Sequence, residues 1–390
     1  MLAKPYMPAN SDRTLLTGLP NLSATQIKHN GFQTFDYTKA TWQNNIVWQS
    51  LPSVNGKVLA IELAQHKNTM HYRYFANDNS QNIVFEPWSS SKIMPITAAM
   101  AKVTEHNVVA DFNVGEYLFS DLITSVHSYD EEGAAKGDSN AIATYFANQV
   151  GRQTLTALFH NDWLKLNQQD IFFRGAYGQT PLTPEPNLWH SKFSTITPNG
   201  FTASSDDPFY WGYRCDECGL TGNKAMTTLA LAEWLKRLVV NQRDKSAALP
   251  ALQKFDMSLL FYGSHQAPQP EGMMAGISRL LAHSIASHIA PLSEQDMLTT
   301  DKVTAVLNKA TQGQWRIFQK VGWGYSETRT AGEMIYLAHI SLPNYLGGKE
   351  FTIAAQSSIP GKDEANLYAA GRNMQTLLNE TIKQVLGSND

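Results

Sequence analysis

The chain has little cysteine, and what it has lies in one short segment. Cys215 and Cys218 are the only cysteines among 390 residues, in the order Cys-Asp-Glu-Cys. A single C-x-x-C pair cannot by itself supply the four ligands of a structural zinc site. A local disulfide, two inert thiols and a redox pair remain open, although no thioredoxin-like strand precedes the pair.

Long apolar runs and excess charge are also lacking. No apolar stretch reaches the roughly 18–20 residues needed to cross a bilayer, and the N-terminal residues lack the apolar core of a secretory signal. The 31 basic and 34 acidic residues leave a net charge of −3, and no basic run is interleaved with aromatic residues. Nucleic acid is therefore not expected as a partner. The protein is expected to be either cytoplasmic or a mature exported form.

Clustered histidines, the usual sign of a metal site, are lacking as well. The 11 histidines form no H-E-x-x-H or H-x-H pattern, so each is interpreted as structural. No metal site is predicted, and no cofactor is expected.

The sequence does contain apolar patterns that change along the chain. With 43% hydrophobic residues it can bury a large core. Strand patterns occur at 58–64, 70–75, 315–321, 334–342 and 351–355, and helical patterns at 93–103, 139–150, 152–165, 226–241, 273–290 and 365–386. This order predicts an α+β fold (α/β in the broad sense), in which one antiparallel sheet built from both chain ends carries an inserted all-helical lobe.

The predicted organisation is an arm followed by one large domain. Residues 1–40 are polar and aperiodic and are interpreted as an irregular N-terminal arm. The expected boundaries are 41–390 for the domain, 41–90 and 310–390 for its sheet-bearing lobe, 91–309 for its helical lobe, and 167–222 for a long Ω-like insertion. That insertion is rich in Pro, Gly, Asn and aromatic residues, which indicates irregular structure.

The first candidate site lies in Phe85–Lys92. Of its three consecutive serines, only Ser89 has a lysine, Lys92, at the third following position. On a helix this spacing places both side chains on one face. A lysine kept neutral by burial or nearby cations can then take the proton of the serine hydroxyl, which is otherwise a weak nucleophile. Because roughly one chance S-x-x-K is expected in a chain of this length, a helix-capping serine followed by a surface lysine is the alternative.

Two downstream segments make this motif resemble a known family. Penicillin-binding proteins and class A β-lactamases carry S-x-x-K, then S-x-N, then K-T-G. Here Asp138–Ala141 (Asp-Ser-Asn-Ala) and Lys320–Gly322 (Lys-Val-Gly) follow Ser89 in that order. The chain thus resembles the serine β-lactamase and penicillin-binding-protein superfamily, most closely serine hydrolases related to class A enzymes. The resemblance implies a small-molecule or peptidoglycan-like substrate and an exported, periplasmic location, with a cytoplasmic one still open.

The K-T-G counterpart implies a substrate anchor at Lys320. Lysine there offers a cation for a substrate carboxylate, and Gly322 lets the substrate lie against the strand edge. Val321 stands where the family has a hydroxyl residue, so one hydrogen bond to that carboxylate is lost and substrate choice is expected to differ from that of typical β-lactamases. A strand that ends in a glycine turn with a solvated lysine is the alternative.

The S-x-N counterpart departs from the family pattern. Asn140 matches the asparagine that binds the substrate's amide carbonyl, but Asp138 stands where the family has a serine that passes a proton to the leaving nitrogen. Asp138 could relay protons only with a raised pKa, and it would disfavour an anionic substrate unless Lys92 or Lys320 compensates. Alternatively, Ser139 turns inward. Asp138 and Ser139 are also favoured helix N-caps, which is the structural alternative.

Class A enzymes also use an Ω-loop glutamate to activate the deacylating water. The candidate here is Glu185, although the family spacing to the next asparagine is not kept, and otherwise it is a loop carboxylate. The aromatic segment Phe209–Tyr213 either floors a substrate cleft or covers the core.

The leading hypothesis is acyl transfer to Ser89 from an amide, lactam or ester. The backbone N–H of Ser89 and one from the strand after Lys320 would form the oxyanion hole. Without a deacylation base the acyl-enzyme would hydrolyse slowly. The second hypothesis is therefore a non-catalytic or slowly turning-over binding or sensor domain, and the third is an esterase or amidase without β-lactam activity. The residues carry no indication of the oligomeric state.

Overall fold

Strands lie towards both ends of the chain and helices fill its middle. The computed structural model describes residues 2–13, 18–106, 111–135, 138–297 and 299–387. The helices in these ranges are α1 (Ala24–His29), α2 (Ile93–Glu105), α3 (Phe119–Ser128), α4 (Ser139–Val150), α5 (Arg152–Ala157), α6 (Thr228–Val240), α7 (Lys254–Tyr262), α8 (Leu280–Ile289), α9 (Glu294–Met297), α10 (Thr300–Thr311) and α11 (Glu364–Gly387). The strands are β1 (Trp48–Ser50), β2 (Lys57–His66), β3 (Thr69–Ala76), β4 (Asn113–Val114), β5 (Tyr117–Leu118), β6 (Phe172–Phe173), β7 (Trp189–His190), β8 (Thr195–Ile196), β9 (Lys224–Ala225), β10 (Arg316–Ser326), β11 (Ala331–Leu342) and β12 (Lys349–Pro360).

One six-stranded sheet joins the two chain ends, in the order β1-β3-β2-β12-β11-β10. All neighbouring pairs are antiparallel except β1 and β3, which run parallel. Strand β2 is apolar on both faces because Leu59 and Ile61 enter one core while Val58 and Ala60 enter the other. The predicted antiparallel sheet built from both chain ends, with an inserted lobe rich in helices, is confirmed. Two features depart from the prediction. Edge strand β1 runs parallel to β3, and the inserted lobe is not all-helical, because it contains a four-stranded sheet (β5-β4-β7-β8) and the strand pair β6-β9.

Helices cover both faces of the sheet. Helices α11 and α8 pack together on one face, and α6 lies against β12, β2 and β11 on the other. Helix α6 is buried at every residue, so its charged side chains have to be paired inside the protein. Glu233 forms ion pairs with Lys236 (2.9 Å) and Arg237 (3.1 Å) and accepts a hydrogen bond from Tyr74 (2.6 Å).

The N-terminal segment is more ordered than predicted. It contains α1, which begins with a capping box between Ser23 and Gln26. Farther along, Tyr37 is buried and its hydroxyl accepts a hydrogen bond from Lys236 (2.6 Å). Within the described residues, no helix is both long enough and apolar enough to cross a membrane.

The predicted Ω-like insertion is largely irregular. One ion pair attaches it to the helical lobe, and one local disulfide lies within it. A buried ion pair between Arg152 and Asp207 (3.3 Å) fixes it to the start of α5. Cys215 and Cys218 form a disulfide, so of the three states left open by the sequence, the structure has the disulfide.

Candidate functional site

Ser89 lies in a short 3₁₀ helix, Trp88–Lys92, that runs directly into α2. Side chains three residues apart eclipse each other in a 3₁₀ helix, so Lys92 follows Ser89 on the same face. Trp88 has a left-handed backbone (φ 49°), which is uncommon for a bulky residue and is a form of strain that tends to occur at functional sites. Its indole N–H donates to Glu333 (2.8 Å), which helps to hold this conformation.

Gly322 explains why the 3₁₀ helix can approach β10 so closely. A Cβ atom at this position would lie 2.7 Å from the backbone nitrogen of Ser89 and 2.8 Å from the Cβ of Trp88. A side chain there would push Ser89 away from the strand. The glycine of the K-x-G segment thus brings the nucleophile candidate against the sheet edge.

Lys92 is fully buried and its amine is held by the S-x-N counterpart. Its Nζ donates to Ser139 Oγ (2.8 Å) and Asn140 Oδ1 (2.7 Å). Burial lowers the pKa of Lys92 to about 7, the charge of Asp138 opposes this, and the charge of Lys224 adds to it. Near neutral pH a large fraction of Lys92 is therefore an uncharged amine, the form that can accept a proton.

The structure separates the roles that the sequence left open at α4. Asp138 is exposed and caps the helix by accepting from the backbone N–H groups of Asn140 (2.7 Å) and Ala141 (2.8 Å). Ser139 is buried and faces Lys92. The structural alternative therefore describes Asp138, while Ser139 is the residue that turns inward.

Tyr129, which the sequence reasoning missed, contacts Ser89 directly. Its hydroxyl donates to the carbonyl oxygen of Val321 (3.1 Å) and is hydrogen-bonded to the Ser89 side chain. Burial raises the pKa of Tyr129, and the Ser89 hydrogen bond opposes that rise. Tyr129 lies well before the S-x-N counterpart, Asp138–Asn140, so no motif in the sequence pointed to it.

Lys320 lies beneath Tyr129 rather than in the open. Its Nζ is 3.8 Å from the centre of the Tyr129 ring, and no hydrogen-bond partner is found for it in the part of the chain that the structure describes. Burial and the charge of Lys92 lower the pKa of Lys320. The side chain of Val321 enters the core on the opposite face of the sheet.

A cavity of about 480 Å³ opens over Ser89. It is lined by Glu86, Trp88, Ser89, Tyr129, Asn140, Ala176, Tyr177, Gly178, Gln179, Tyr210, Tyr213, Asn223, Lys224 and Trp323. Of the aromatic segment Phe209–Tyr213, Tyr210 and Tyr213 thus line the cleft. The guanidinium carbon of Arg174 lies 4.9 Å from the ring centre of Phe209 and 4.7 Å from that of Trp211. Lys320 and Val321 are not among the lining residues.

Glu185 lies outside this cavity. It is exposed, and its backbone N–H donates to Glu116 (2.6 Å). Among the described residues that line the cavity, the one carboxylate is Glu86, which is paired with Arg329 (3.0 Å). The structure therefore does not bring the predicted deacylation base to Ser89.

Backbone donors for an oxyanion are available beside Ser89. Ser89 is the second residue of its helix, and N–H groups at a helix start lack partners within the helix. Strand β10 is the edge of the sheet. The Val321 carbonyl accepts its hydrogen bond from Tyr129, which shows that it points away from β11. Trp323, two residues farther along, directs its N–H to the same side. Ser89 and Trp323 can therefore present two N–H groups to one oxygen.

Comparisons with known proteins give matches among solved structures alone. No family model and no curated protein matches the chain. A class A β-lactamase from Mycobacterium abscessus is 10% identical (TM-score 0.42), with 85% of this chain and 94% of that one covered. The protein named PBP-A is 11% identical (TM-score 0.40; 94% and 98% covered). The C-terminal domain of the Bacillus licheniformis BlaR penicillin receptor is 8% identical (TM-score 0.38; 86% and 97% covered).

Proposed function

We propose that this protein is a serine hydrolase of the β-lactamase and penicillin-binding-protein type, which forms an acyl-enzyme at Ser89. The observation that carries the proposal is the pairing of Ser89, in the wall of the cavity, with a fully buried Lys92 one 3₁₀ turn away. Few structural roles require a buried lysine next to an accessible serine, whereas nucleophilic catalysis does. The substrate class is an amide, lactam or ester small enough for the cavity, including fragments of peptidoglycan type.

Acylation begins with the neutral amine of Lys92 removing the Ser89 proton. The Ser89 oxygen attacks the substrate carbonyl carbon, and the N–H groups of Ser89 and Trp323 stabilise the resulting oxyanion. When the intermediate collapses, the leaving nitrogen or oxygen takes a proton from the Tyr129 hydroxyl. Tyr129 recovers that proton from the Lys92 ammonium, so the site returns to its starting protonation state. In this proposal Tyr129, and not Asp138 or Ser139 as the sequence suggested, passes the proton to the leaving group.

The orientation of the substrate follows from the polar atoms of the cavity. Asn140 lines it and can bind an amide group of the substrate. Ser139 is not among the lining residues, and its contact with Lys92 gives it the role of holding that amine in place. Acylation is expected to accelerate as pH rises through about 7, because the pKa of Lys92 is lowered to about 7 and its neutral form is the base.

A second candidate function is a slowly turning-over acyl-binding or sensor domain. The exposed position of Glu185 and the pairing of Glu86 with Arg329 favour it, because neither carboxylate is free to activate water at the acyl-enzyme. An esterase or amidase without β-lactam activity remains the third candidate.

We also propose an exported location, which the Cys215–Cys218 disulfide supports because disulfides persist in oxidising compartments. Fractionation of cells that express the native gene tests that location.

The test of the proposed function is the intact mass of the protein after incubation with a fluorophosphonate, a penicillin and a cephalosporin. Native protein and a Ser53→Ala control, which changes an exposed serine, should gain the mass of the probe, and Ser89→Ala should not. The fluorophosphonate adduct reports on the reactivity of Ser89 alone. Loss of the penicillin or cephalosporin adduct within minutes would identify a hydrolase, and its persistence over hours would identify the slow acyl-binding function. Labelling of Ser89→Ala to the native extent would exclude Ser89 as the nucleophile.

A further inference from the structure

The cavity has a lysine in its wall, and it is not the one that the K-T-G resemblance indicates. Among the described residues that line the cavity, Lys224 is the only lysine or arginine. It lies on β9, which pairs with β6 so that Lys224 is opposite Phe173. Its residue surface is only 4% exposed, so the remaining exposure is towards the cavity.

The Lys224 ammonium is held in a fixed position. Its Nζ donates to the carbonyl oxygen of Ala176 (2.9 Å) and to Asn223 Oδ1 (3.1 Å), and it lies 5.0 Å from the centre of the Tyr177 ring. An ammonium has three N–H donors, so these two hydrogen bonds leave one for a ligand. The partners that hold Lys224 are neutral, which leaves its positive charge without a bonded carboxylate.

Burial lowers the pKa of Lys224 and the charge of the nearby Glu86 opposes this, but the two side chains are not ion-paired. Glu86 also lines the cavity, but it is ion-paired with Arg329 (3.0 Å), which is also paired with Glu333 (2.7 Å). A buried ammonium with neutral partners attracts an anion more strongly than a solvated one does, because the local dielectric constant is low. Lys320, in contrast, is covered by the Tyr129 ring and does not line the cavity.

We propose that Lys224 binds a carboxylate of the substrate, so that the protein prefers acyl compounds that carry a carboxylate over neutral analogues. This inference rests on the proposed function of Ser89. It assigns to a strand of the long insertion the anchoring role that the resemblance gives to Lys320. The loss of a hydroxyl at Val321 then has no effect on carboxylate binding, since that residue faces the opposite core.

The experiment compares two pairs of probes that differ in one carboxylate: benzylpenicillin with its methyl ester, and mono-4-nitrophenyl glutarate with 4-nitrophenyl butyrate. The quantity measured is the ratio of the acylation rates of the anionic and neutral members. The native protein should prefer the anion in at least one pair, and Lys224→Gln should reduce that ratio at least tenfold. Use of the ratio removes any effect of the substitution on the chemical step that both probes share.

The matched control is Lys102→Gln. Lys102 Nζ also donates to one carbonyl oxygen, of Gln149 (2.9 Å), and to one side-chain amide oxygen, of Asn199 (2.8 Å), but it does not line the cavity. Its substitution should leave the ratio unchanged. A second readout is the pH at which acylation reaches half its maximum, which should rise in Lys224→Gln because the charge of Lys224 helps to lower the pKa of Lys92.

The outcomes separate the two proposals. Labelling of both variants at Ser89 by the fluorophosphonate shows that each is folded. If the fluorophosphonate labels Ser89 but neither anion reacts faster than its neutral partner, or if Lys224→Gln keeps the native ratio, the role of Lys224 is refuted while the proposed function stands. If no probe reacts at Ser89 in the native protein, both proposals fail.

Discussion

Replacing Lys92 with methionine is expected to abolish acylation and yet make the protein more stable at low pH. The pKa of this lysine falls from 10.5 to about 7 on burial, and at 1.36 kcal/mol per tenfold change in proton affinity this is a penalty of about 5 kcal/mol for the charged form. Methionine has a similar volume and no charge. It removes the hydrogen bonds to Ser139 and Asn140, at about 1–2 kcal/mol each.

The sign of the effect should therefore depend on pH. Because the pKa is lower in the folded state, the unfolded chain binds the proton more tightly, and the penalty is full below pH 7 and disappears as pH rises to 10.5. Lys92→Met is thus expected to be about 1–3 kcal/mol more stable than the native protein at pH 6, since the burial penalty exceeds the two lost hydrogen bonds by about that amount. At pH 10 the loss of hydrogen bonds to Ser139 and Asn140 dominates, and the variant should be less stable by about 1–3 kcal/mol.

Urea unfolding at pH 6, 8 and 10, followed by tryptophan fluorescence, measures this difference. Lys309→Met, which replaces an exposed lysine on α10, is the control and should change stability by less than about 0.5 kcal/mol at each pH. If Lys92→Met destabilised the protein equally at pH 6 and pH 10, the lysine would not be penalised by burial. The basis for its role as a neutral base would then be lost.

Three further substitutions test other parts of the site and its frame. Tyr129→Phe should slow acylation about 100-fold for an anilide but much less for a nitrophenyl ester, whose leaving group needs no proton; equal slowing for both would exclude proton delivery by Tyr129. Gly322→Ala should displace Ser89, because its Cβ would lie 2.7 Å from the Ser89 nitrogen, and fluorophosphonate labelling at the native rate would contradict this. Asp207→Ala leaves the buried Arg152 without its carboxylate and should destabilise the protein by about 3–5 kcal/mol in urea unfolding, whereas a loss below about 1 kcal/mol would show that the pair does not anchor the insertion.

The sequence predicted the helices and strands that are marked by capping residues or by a regular apolar pattern within the segment itself. Helix α4 was predicted at 139–150 and is found there, because Asp138 caps its start and Gly151 ends it. The predicted ranges of the long strands are shorter than the strands in the structure. The ends of a strand are set by how far it pairs with its neighbours in the sheet, which the composition of the segment does not show. Helix α3 was missed because buried serine and threonine residues interrupt its apolar stripe.

The same distinction applies to the site. Ser89, Lys92 and Asn140 lie in contiguous motifs, so the sequence pointed to them. Tyr129 and Lys224 reach the cavity through contacts with residues far away in the chain: the partner of Tyr129, Val321, is 192 positions away, and Lys224 lies on a strand of two residues. No periodicity marks such positions, so only the folded structure could show them.

The pairing of β2 with β12 also determines when the protein can become active. Strand β2 ends at His66 and β12 begins at Lys349, so at about 5–20 residues per second a ribosome needs on the order of 15–60 s to produce the partner of a strand already made. Contacts of such long sequence separation make folding slow. Ser89 is synthesised early, but Gly322, against which it packs, belongs to the last fifth of the chain. A chain interrupted before that point has the serine and the lysine of the first motif but no assembled active site, so acylation should appear only in chains that extend to the final strands.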